Sequence, residues 1–320
     1  MKWMLRVLAL LAACALTAPA VAQYPEKVVR WIVTMPPGGA NDILVRPLAQ
    51  RLAESIGQQV IVDNRSGAGG MIGAEAAARV AADGYTIVVL TVGHAIGASL
   101  YKKTNFDLVR DFAPVTLLAT SASVLVVPPS LPVKSVKDLI ALARSRPGDL
   151  TYGSSGNGTP PHAAAELFIY MTGTKMTHVP YKGGGPSMVA LLSGEVMLSF
   201  ASLPPAVPHI RSGKLNALGV ASGQRVPVMP DLPTIGEAGV PGYEADIWYG
   251  LSVPAATPQG VIARLHAEMT KILKQPDLAQ QLDRSGFQAR ITTPEEYGAL
   301  KHREVEKWAK VVHAAGMRAD

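Results

Sequence analysis

Cysteine is almost absent from this chain. Cys14 is the only cysteine among the 320 residues, and it lies in an N-terminal segment that we predict to be removed. A mature chain without cysteine has no disulfide and no thiolate nucleophile or metal ligand. The seven histidines show no H-E-x-x-H spacing, so the sequence predicts neither a metal site nor a cofactor. Stability must come from a packed core, which a chain of this length can bury as two domains.

Long apolar runs and clusters of like charge are lacking as well. Nothing in the sequence reaches the ~18 consecutive apolar residues that a transmembrane span needs. The formal net charge is +6, and Lys2 and Arg6 supply two of these charges from the N-terminal segment, which leaves +4. That charge is spread along the chain, which argues against a nucleic-acid partner and suits an anionic ligand.

The N-terminal segment has the pattern of a secretory signal peptide over residues 1–22. A basic start is followed by an apolar run over residues 7–16 and by Ala20-Val21-Ala22 as a small-x-small cleavage site. Residues 11–14 also resemble a bacterial lipoprotein box, which would anchor the protein by lipid at Cys14. Because the apolar run continues past Cys14 to a good cleavage site, plain secretion is the preferred interpretation.

Strand, polar loop and helix patterns alternate through the first third of the chain. Residues 28–34, 60–62 and 85–91 are β-rich, and each run is followed by a loop rich in glycine or threonine. This alternation predicts a parallel α/β sheet, in which ligands collect at the carboxyl ends of the strands. Pro47 is poorly placed for a helix interior, so we expect the first regular helix to begin near Val45.

Two loops have the composition of anion-binding helix starts. Residues 153–158 are rich in glycine and serine, and Thr159-Pro160 then provides an N-cap and a first helical residue. Free N–H groups and hydroxyls at such a place can hold a small carboxylate, although an ordinary strand-to-helix turn explains the same residues. Gly38-Gly39 precedes another helix, where Asp42 is expected to cap the helix or accept from a ligand N–H.

A dinucleotide-binding motif is excluded in the loop over residues 67–73. Ile72 stands where the third glycine of G-x-G-x-x-G belongs, and an exported protein has no pool of nicotinamide cofactor. Further along, residues 112–127 are predicted to form two strands joined by a crossover near residues 120–123. Residues 244–253 are predicted to form a strand that crosses back, and Thr293 with Glu296 is predicted to open the last helix as a capping box.

An ordered series of short motifs spans nearly the whole chain and resembles the substrate-binding proteins of tripartite tricarboxylate transporters, the Bug receptors. The motifs are Pro37-Gly38-Gly39-Ala40-Asn41-Asp42 with Arg46, Asn64-Arg65-Ser66-Gly67-Ala68-Gly69-Gly70, Asp83-Gly84-Tyr85-Thr86, Tyr152-Gly153-Ser154-Ser155-Gly156-Asn157-Gly158-Thr159 with His162, His178-Val179-Pro180-Tyr181-Lys182-Gly183, Ser212-Gly213-Lys214-Leu215, Leu232-Pro233-Thr234 and Trp248-Tyr249-Gly250-Leu251. Each motif alone is weak, and the ordered set is specific.

The resemblance implies an α/β, two-lobed Venus-flytrap fold of the type II periplasmic binding class, with two crossing hinge strands. Lobe 1 would comprise residues 23–121 and 247–320, and lobe 2 residues 122–246. The family implies a periplasmic, monomeric receptor without a cofactor. It would capture a small carboxylate, namely a dicarboxylate, a tricarboxylate or an aromatic acid, and pass it to the subunits of a membrane permease.

The resemblance also places candidate ligand-binding residues on both sides of a cleft. They are Gly38, Gly39, Asn41, Asp42, Gly69 and Thr91 on lobe 1, and Ser154, Ser155, Asn157, His162, Tyr181 and Ala201 on lobe 2. For His162 a structural hydrogen bond is an equal alternative. Many relatives have acidic residues within 195–202, so an alanine at 201 would suit a neutral or aromatic ligand group better than an ammonium.

Two other functions share parts of these patterns. A secreted serine hydrolase would need an activated nucleophile, and His162 could act as a base for Ser154 or Ser155. Residues 153–157 do not match G-x-S-x-G, however, because Asn157 replaces the final glycine. The protein is therefore predicted not to be an enzyme. A periplasmic sensor that reports its ligand to a membrane kinase would share every feature of the receptor.

Overall fold

The computed structural model describes residues 24–101 and 103–319. The predicted signal peptide, its cleavage site and Cys14 lie outside the described residues. Within those two ranges, no helix is long and apolar enough to cross a membrane.

The described strands and helices alternate along most of the chain. The strands are β1 (Val29–Val33), β2 (Val60–Asn64), β3 (Thr86–Thr91), β4 (Phe112–Val127), β5 (Thr151–Ser154), β6 (Thr177–Pro180), β7 (Leu198–Ser202), β8 (Asn216–Val220), β9 (Asp246–Pro254) and β10 (Gln288–Ala289). The α-helices are α1 (Ala40–Ile56), α2 (Met71–Ala78), α3 (Val92–Leu100), α4 (Val136–Ser145), α5 (Pro160–Thr172), α6 (Gly184–Ser193), α7 (Leu203–Arg211), α8 (Gln259–Leu273), α9 (Pro276–Arg284) and α10 (Pro294–Ala314).

The strands form one continuous path with two lobes along it. The order is β2-β1-β3-β9-β4-β7-β5-β6, and β8 and β10 pair with β4 off this path. Strands β1, β2 and β3 are parallel in lobe 1, and β5, β6 and β7 are parallel in lobe 2. The sequence prediction of parallel α/β sheets is confirmed, because each of these parallel strands is followed by a helix, directly after β3 and β7 and through a loop after the others.

Strands β4 and β9 run antiparallel to each other and join the lobes. Their pairing extends from Phe112↔Pro254 to Ala122↔Asp246, and β4 then continues into lobe 2, where it pairs with β7 and β8. The expectation of two strands within residues 112–127 is wrong, since β4 is one strand of 16 residues. The small residues within β4 do not interrupt the strand, because β9 pairs with its first part and β7 and β8 pair with the rest. The residue bounds proposed for the lobes stay a prediction.

Helix α1 begins five residues earlier than the expected start at Val45. Gly39 is its N-cap, and the N–H of Ile43 donates to the Gly39 carbonyl at 3.0 Å. Pro47 lies inside the helix, where it removes one backbone donor. The helix continues through it because the face containing Leu44, Leu48 and other apolar side chains is buried against the sheet.

Two packing features matter for the hinge and the cleft. Strand β9 carries Gly250, where a Cβ would lie 2.0 Å from the ring of the fully buried Tyr297 on α10. A separate buried apolar cluster in lobe 2 packs beneath α6 and α7 and includes Val124, Met188 and Ala201. Apolar side chains of this cluster therefore reach the cleft.

Candidate ligand-binding site

A cavity of about 50 Å³ lies between the lobes at the carboxyl ends of their strands. At ~10–15 Å³ for each water, it has room for about three to five water molecules, or for a small ligand that displaces them. Its lining residues are Met35, Pro36, Gly39, Ala40, Asn41, Gly69, Thr91, Ser155, Pro160, Pro161, Gly184, Ser187, Met188, Leu191, Ser199, Ala201, Ser202, Pro205, Ile247 and Tyr249.

Five helices begin at this cavity. Gly39, Thr91 and Ser202 are the N-caps of α1, α3 and α7, and Pro160 and Gly184 are the first residues of α5 and α6. A helix N-terminus carries about +0.5 elementary charge together with N–H groups that have no partner within the helix. Prolines occupy two of the first three positions of α5 and of α7, so these two helices offer fewer N–H donors than the other three. The combined field therefore favours a negatively charged ligand.

The cavity wall is uncharged. None of the described residues that line it is Lys, Arg, His, Asp or Glu. Its polar side chains are mostly hydroxyls, such as those of Thr91 and Ser155, while Met188, Leu191 and Ile247 supply apolar surface. The arrangement suits a carboxylate held by N–H and O–H donors, with an uncharged or apolar part of the same ligand beside it.

Asn41 lines the cavity with a buried side-chain donor that has no partner among the described residues. Its residue is 7% exposed, and its amide nitrogen Nδ2 is buried without a hydrogen-bond partner. A buried donor left unpaired costs ~1–3 kcal/mol. A carboxylate oxygen in the cavity would supply the missing acceptor.

The structure brings half of the sequence-predicted residues together on the cavity wall. Those that line it are Gly39, Asn41, Gly69, Thr91, Ser155 and Ala201. Those outside the lining are Gly38, Asp42, Ser154, Asn157, His162 and Tyr181. Each of these six residues is close in sequence to a residue of the lining. Its polar atoms form hydrogen bonds with other parts of the protein and do not face the cavity.

Gly38 and Asp42 shape the start of α1. The Asp42 carboxylate accepts from Gly38 N at 2.9 Å, Arg46 Nε at 2.8 Å and Asn64 Nδ2 at 3.1 Å. Burial acts to raise the pKa of Asp42, but these hydrogen bonds outweigh it and hold the pKa below its ordinary value. Asp42 is therefore an ionised anchor for the loop that leads into α1, with its oxygens already occupied.

Ser154 is directed into lobe 2. It is fully buried at the end of β5, its Oγ accepts from Gly156 N at 3.1 Å, and the same atom lies 2.7 Å from His178 Nε2. This pair has the spacing of a serine–histidine dyad, but a hydroxyl with no exposed surface cannot reach an ester or amide carbonyl. Ser155, the next residue, lines the cavity instead.

A column of stacked rings supports the 154–158 loop from below. His178 stacks on His162 with ring centroids 4.2 Å apart, and on Tyr152 at 4.8 Å. The Nδ1 of His162 accepts from Gly158 N at 3.2 Å, which is a structural hydrogen bond of the kind considered as the alternative for this residue. Burial lowers the pKa of His162 to about 3, with the neighbouring His178 adding to the effect, and lowers that of His178 to about 4. Both rings are neutral at pH 7.

Sequence reasoning missed the role of His178. It stood in a family motif, but no local pattern connected it with the serine loop, residues 154–158. The connection comes from parallel pairing of β5 with β6, in which Tyr152 lies opposite His178. Tyr181 follows the same strand, and its hydroxyl donates to Glu195 at 2.7 Å.

The two lobes touch at the mouth of the cavity. A Cβ at Gly69 would lie 2.6 Å from the carbonyl oxygen of Asn157, and a Cβ at Gly183 would lie 2.8 Å from Pro36. Only glycine allows such approaches. The lobes are therefore closed over the cavity, and Asn157 belongs to the contact between them.

Comparison with known proteins agrees with this geometry. Residues 44–317 match the model of the tripartite tricarboxylate transporter family receptor, TctC. The chain belongs to this family. The receptor resembles the periplasmic binding protein BugD with a TM-score of 0.88 at 30% identity, and the match covers 92% of this chain and 99% of BugD. The family is one of solute-binding proteins of the periplasm, and the two-lobed type II fold is confirmed.

Two other solved structures were determined with ligands. Rpa4515 of R. palustris with adipate has a TM-score of 0.89 at 38% identity, over 92% of this receptor and 99% of that chain. MatC of Rhodopseudomonas palustris with bound malate has a TM-score of 0.86 at 31% identity, over 90% of this receptor and 100% of that chain. Both ligands are small dicarboxylates.

Proposed function

We propose that this receptor captures a small carboxylate in the cavity between its lobes and delivers it to the membrane subunits of a tripartite transporter. The convergence of five helix N-termini on a cavity without charged side chains is the observation that carries the proposal. Relatives have been solved with adipate and malate, which are both small carboxylates. Closure of the lobes then removes the ligand from water.

The ligand contacts are assigned to a subset of the residues predicted from sequence. Gly39, Gly69 and the N-caps allow the ligand close to backbone N–H groups, while Asn41, Thr91 and Ser155 donate from side chains. Gly38, Asp42, Ser154 and His162 hold these contact residues in place through the bonds described above. Asn157 and Tyr181 do not line the cavity. Asn157 belongs to the contact between the lobes at its mouth, and Tyr181 forms a hydrogen bond within lobe 2.

The apolar part of the wall determines what the rest of the ligand can be. Ala201 lines the cavity beside Met188 and Leu191, and no carboxylate is available there to pair with an ammonium. Desolvating an unpaired ammonium is expensive. The proposed ligand is therefore an organic acid, aliphatic or aromatic, without an amino group.

Export is part of the proposal. Removal of residues 1–22 would release the receptor into the periplasm, where it meets both its ligand and its permease. Cleavage after Ala22 is preferred to lipid attachment at Cys14. Mass spectrometry of the mature protein distinguishes the two, because only the second leaves residues 14–22 and a lipid on the chain. The receptor is expected to act as a monomer divided at the lobe bounds given above.

A thermal-shift screen tests the function. The panel is citrate, C4 to C6 dicarboxylates, acidic amino acids, benzoate, terephthalate and nicotinate, with the matched diamide of each diacid as an uncharged control. A ligand at a hundredfold excess over Kd stabilises the folded state by ~2.7 kcal/mol, which raises Tm by several degrees. We expect such a shift from at least one acid and none from its amide.

Asn41→Asp is the matched variant for this screen. It keeps the shape of the side chain and replaces a donor with a negative charge facing the ligand. The shift should disappear in Asn41→Asp, while Tm without ligand changes little. Equal shifts from an acid and its amide would contradict carboxylate recognition, as would a full shift in Asn41→Asp. Absence of any shift in a protein shown by mass spectrometry to be free of bound acid would also contradict it.

A further inference from the structure

Asn157 forms hydrogen bonds in two directions across the mouth of the cavity. Its backbone carbonyl accepts from the Tyr101 hydroxyl at 3.1 Å, and its side-chain nitrogen Nδ2 donates to the carbonyl of Ala319. Asn157 belongs to the serine loop of lobe 2. Tyr101 directly follows α3, and Ala319 follows α10, so both partners belong to lobe 1.

None of these three residues lines the ligand cavity. The contact is nonetheless built tightly, since a Cβ at Gly158 would lie 2.9 Å from Leu100 and 3.4 Å from the Tyr101 ring. The segment that carries Ala319 is attached to lobe 1. Met317 within it is buried, and its N–H donates to the carbonyl of Val312 at 3.0 Å.

We propose that Tyr101, Asn157 and residues 317–319 form a latch that holds the lobes closed independently of any ligand. Opening of the lobes must break both hydrogen bonds, because each bond joins one lobe to the other. The latch therefore stabilises the closed state alone, and it sets how long the receptor stays closed. A ligand that also favours the closed state is released more slowly when the latch is intact.

The test measures closure without ligand. The mature chain, residues 23–320, contains no cysteine, so Ile72→Cys on α2 and Val189→Cys on α6 can carry a donor and an acceptor dye. Both side chains are exposed, at 55% and 66%. Single-molecule energy transfer between them reports the lifetimes of the open and closed states in the same molecule.

Two variants remove the latch bonds one at a time. Tyr101→Phe removes only a hydroxyl, and Asn157→Leu removes the donor Nδ2 while it keeps the carbonyl that Tyr101 uses. A net hydrogen-bond contribution of ~0.5–1.5 kcal/mol predicts an about two- to tenfold shorter closed-state lifetime in each, and a larger loss in the double variant. Tyr24→Phe is the matched control, because Tyr24 donates to the Gly84 carbonyl at 2.7 Å and this hydrogen bond lies within lobe 1.

Closed-state lifetimes equal to that of Tyr24→Phe in both variants would overturn the latch. A wild-type receptor that never closes without ligand would overturn it too, because the latch would then be too weak to hold the lobes. Thermal denaturation of the labelled variants shows that each is folded before it is measured. Since no ligand is present, the result is separate from the success or failure of the carboxylate proposal.

Discussion

Ser154 Oγ lies 2.7 Å from His178 Nε2, and the two residues stand on neighbouring parallel strands of lobe 2. The bond turns a hydroxyl that the sequence placed in the ligand site toward the protein interior. It leaves Ser155 to face the cavity. The backbone of the serine loop therefore rests on an imidazole that must be neutral and buried, and the stability of the lobe depends on the protonation of that ring.

The free energy of unfolding should decrease in mild acid. The folded-state pKa values of His162 and His178 are about 3 and about 4, below the ~6.5 of an unfolded histidine. Between these values the unfolded chain binds protons that the folded chain does not. The stabilisation is complete above pH ~6.5 and is lost as pH falls toward 4, with at most ~1.4 kcal/mol per pH unit for each histidine.

Urea denaturation at pH values from 7 to 4 measures this slope, and His178→Gln provides the comparison. Glutamine does not titrate and can still bond to Ser154. The free energy of unfolding should depend less steeply on pH in the variant. The difference in slope should correspond to at most one proton taken up on unfolding. Identical slopes in the wild type and in His178→Gln would show that His178 does not titrate on unfolding.

Ala201→Asp should change the class of ligand. The substitution places a carboxylate on the apolar wall beside Met188, where an ammonium could pair with it. We expect tighter binding of aspartate or glutamate relative to succinate or glutarate, by at least about tenfold, and weaker binding of the acid preferred by the wild type. Isothermal titration with these matched pairs measures the change. Ala201→Asn controls for size, and the same gain with asparagine would exclude the charge as its cause.

Gly250→Ala should destabilise the receptor strongly. The new Cβ would overlap the buried ring of Tyr297, and neither the hinge strand nor α10 can move without breaking packing. Overpacking of this kind costs ~3 kcal/mol. Gly260→Ala, on α8 with nothing within 4 Å of the new Cβ, should be neutral or slightly stabilising. Chemical denaturation of the two variants compares them, and equal midpoints would contradict the role given to Tyr297.

Local chemistry explains what could be predicted from the sequence. The capping box at Thr293 and Glu296 is present with both hydrogen bonds, at 3.2 and 2.8 Å, because all of its atoms lie within one turn. The alternation of strand, loop and helix is equally local. Gly39 and Asn41 line the cavity as expected because a parallel strand must deliver its loop to that edge of the sheet.

Long-range contacts explain what could not be predicted. The direction of Ser154 depends on His178, which pairing of β5 with β6 brings beneath it. The partner of Asn157 is Ala319, which is far away in the sequence and has no distinctive side chain. The unbroken strand β4 depends in the same way on β9, whose residues lie more than a hundred positions later. No window of neighbouring residues contains these partners.

The place of β9 in the sheet has a consequence for how the chain folds. It lies between β3 and β4, yet it is made long after both, since it begins at Asp246. Until that segment is available, β3 and β4 each lack their central partner and the two lobes have no shared ribbon. Closing so long a loop is slow, because chain entropy must be lost before any contact forms. The order of strands therefore delays the completion of lobe 1, and of the ribbon that joins the two lobes, until most of the chain has been made.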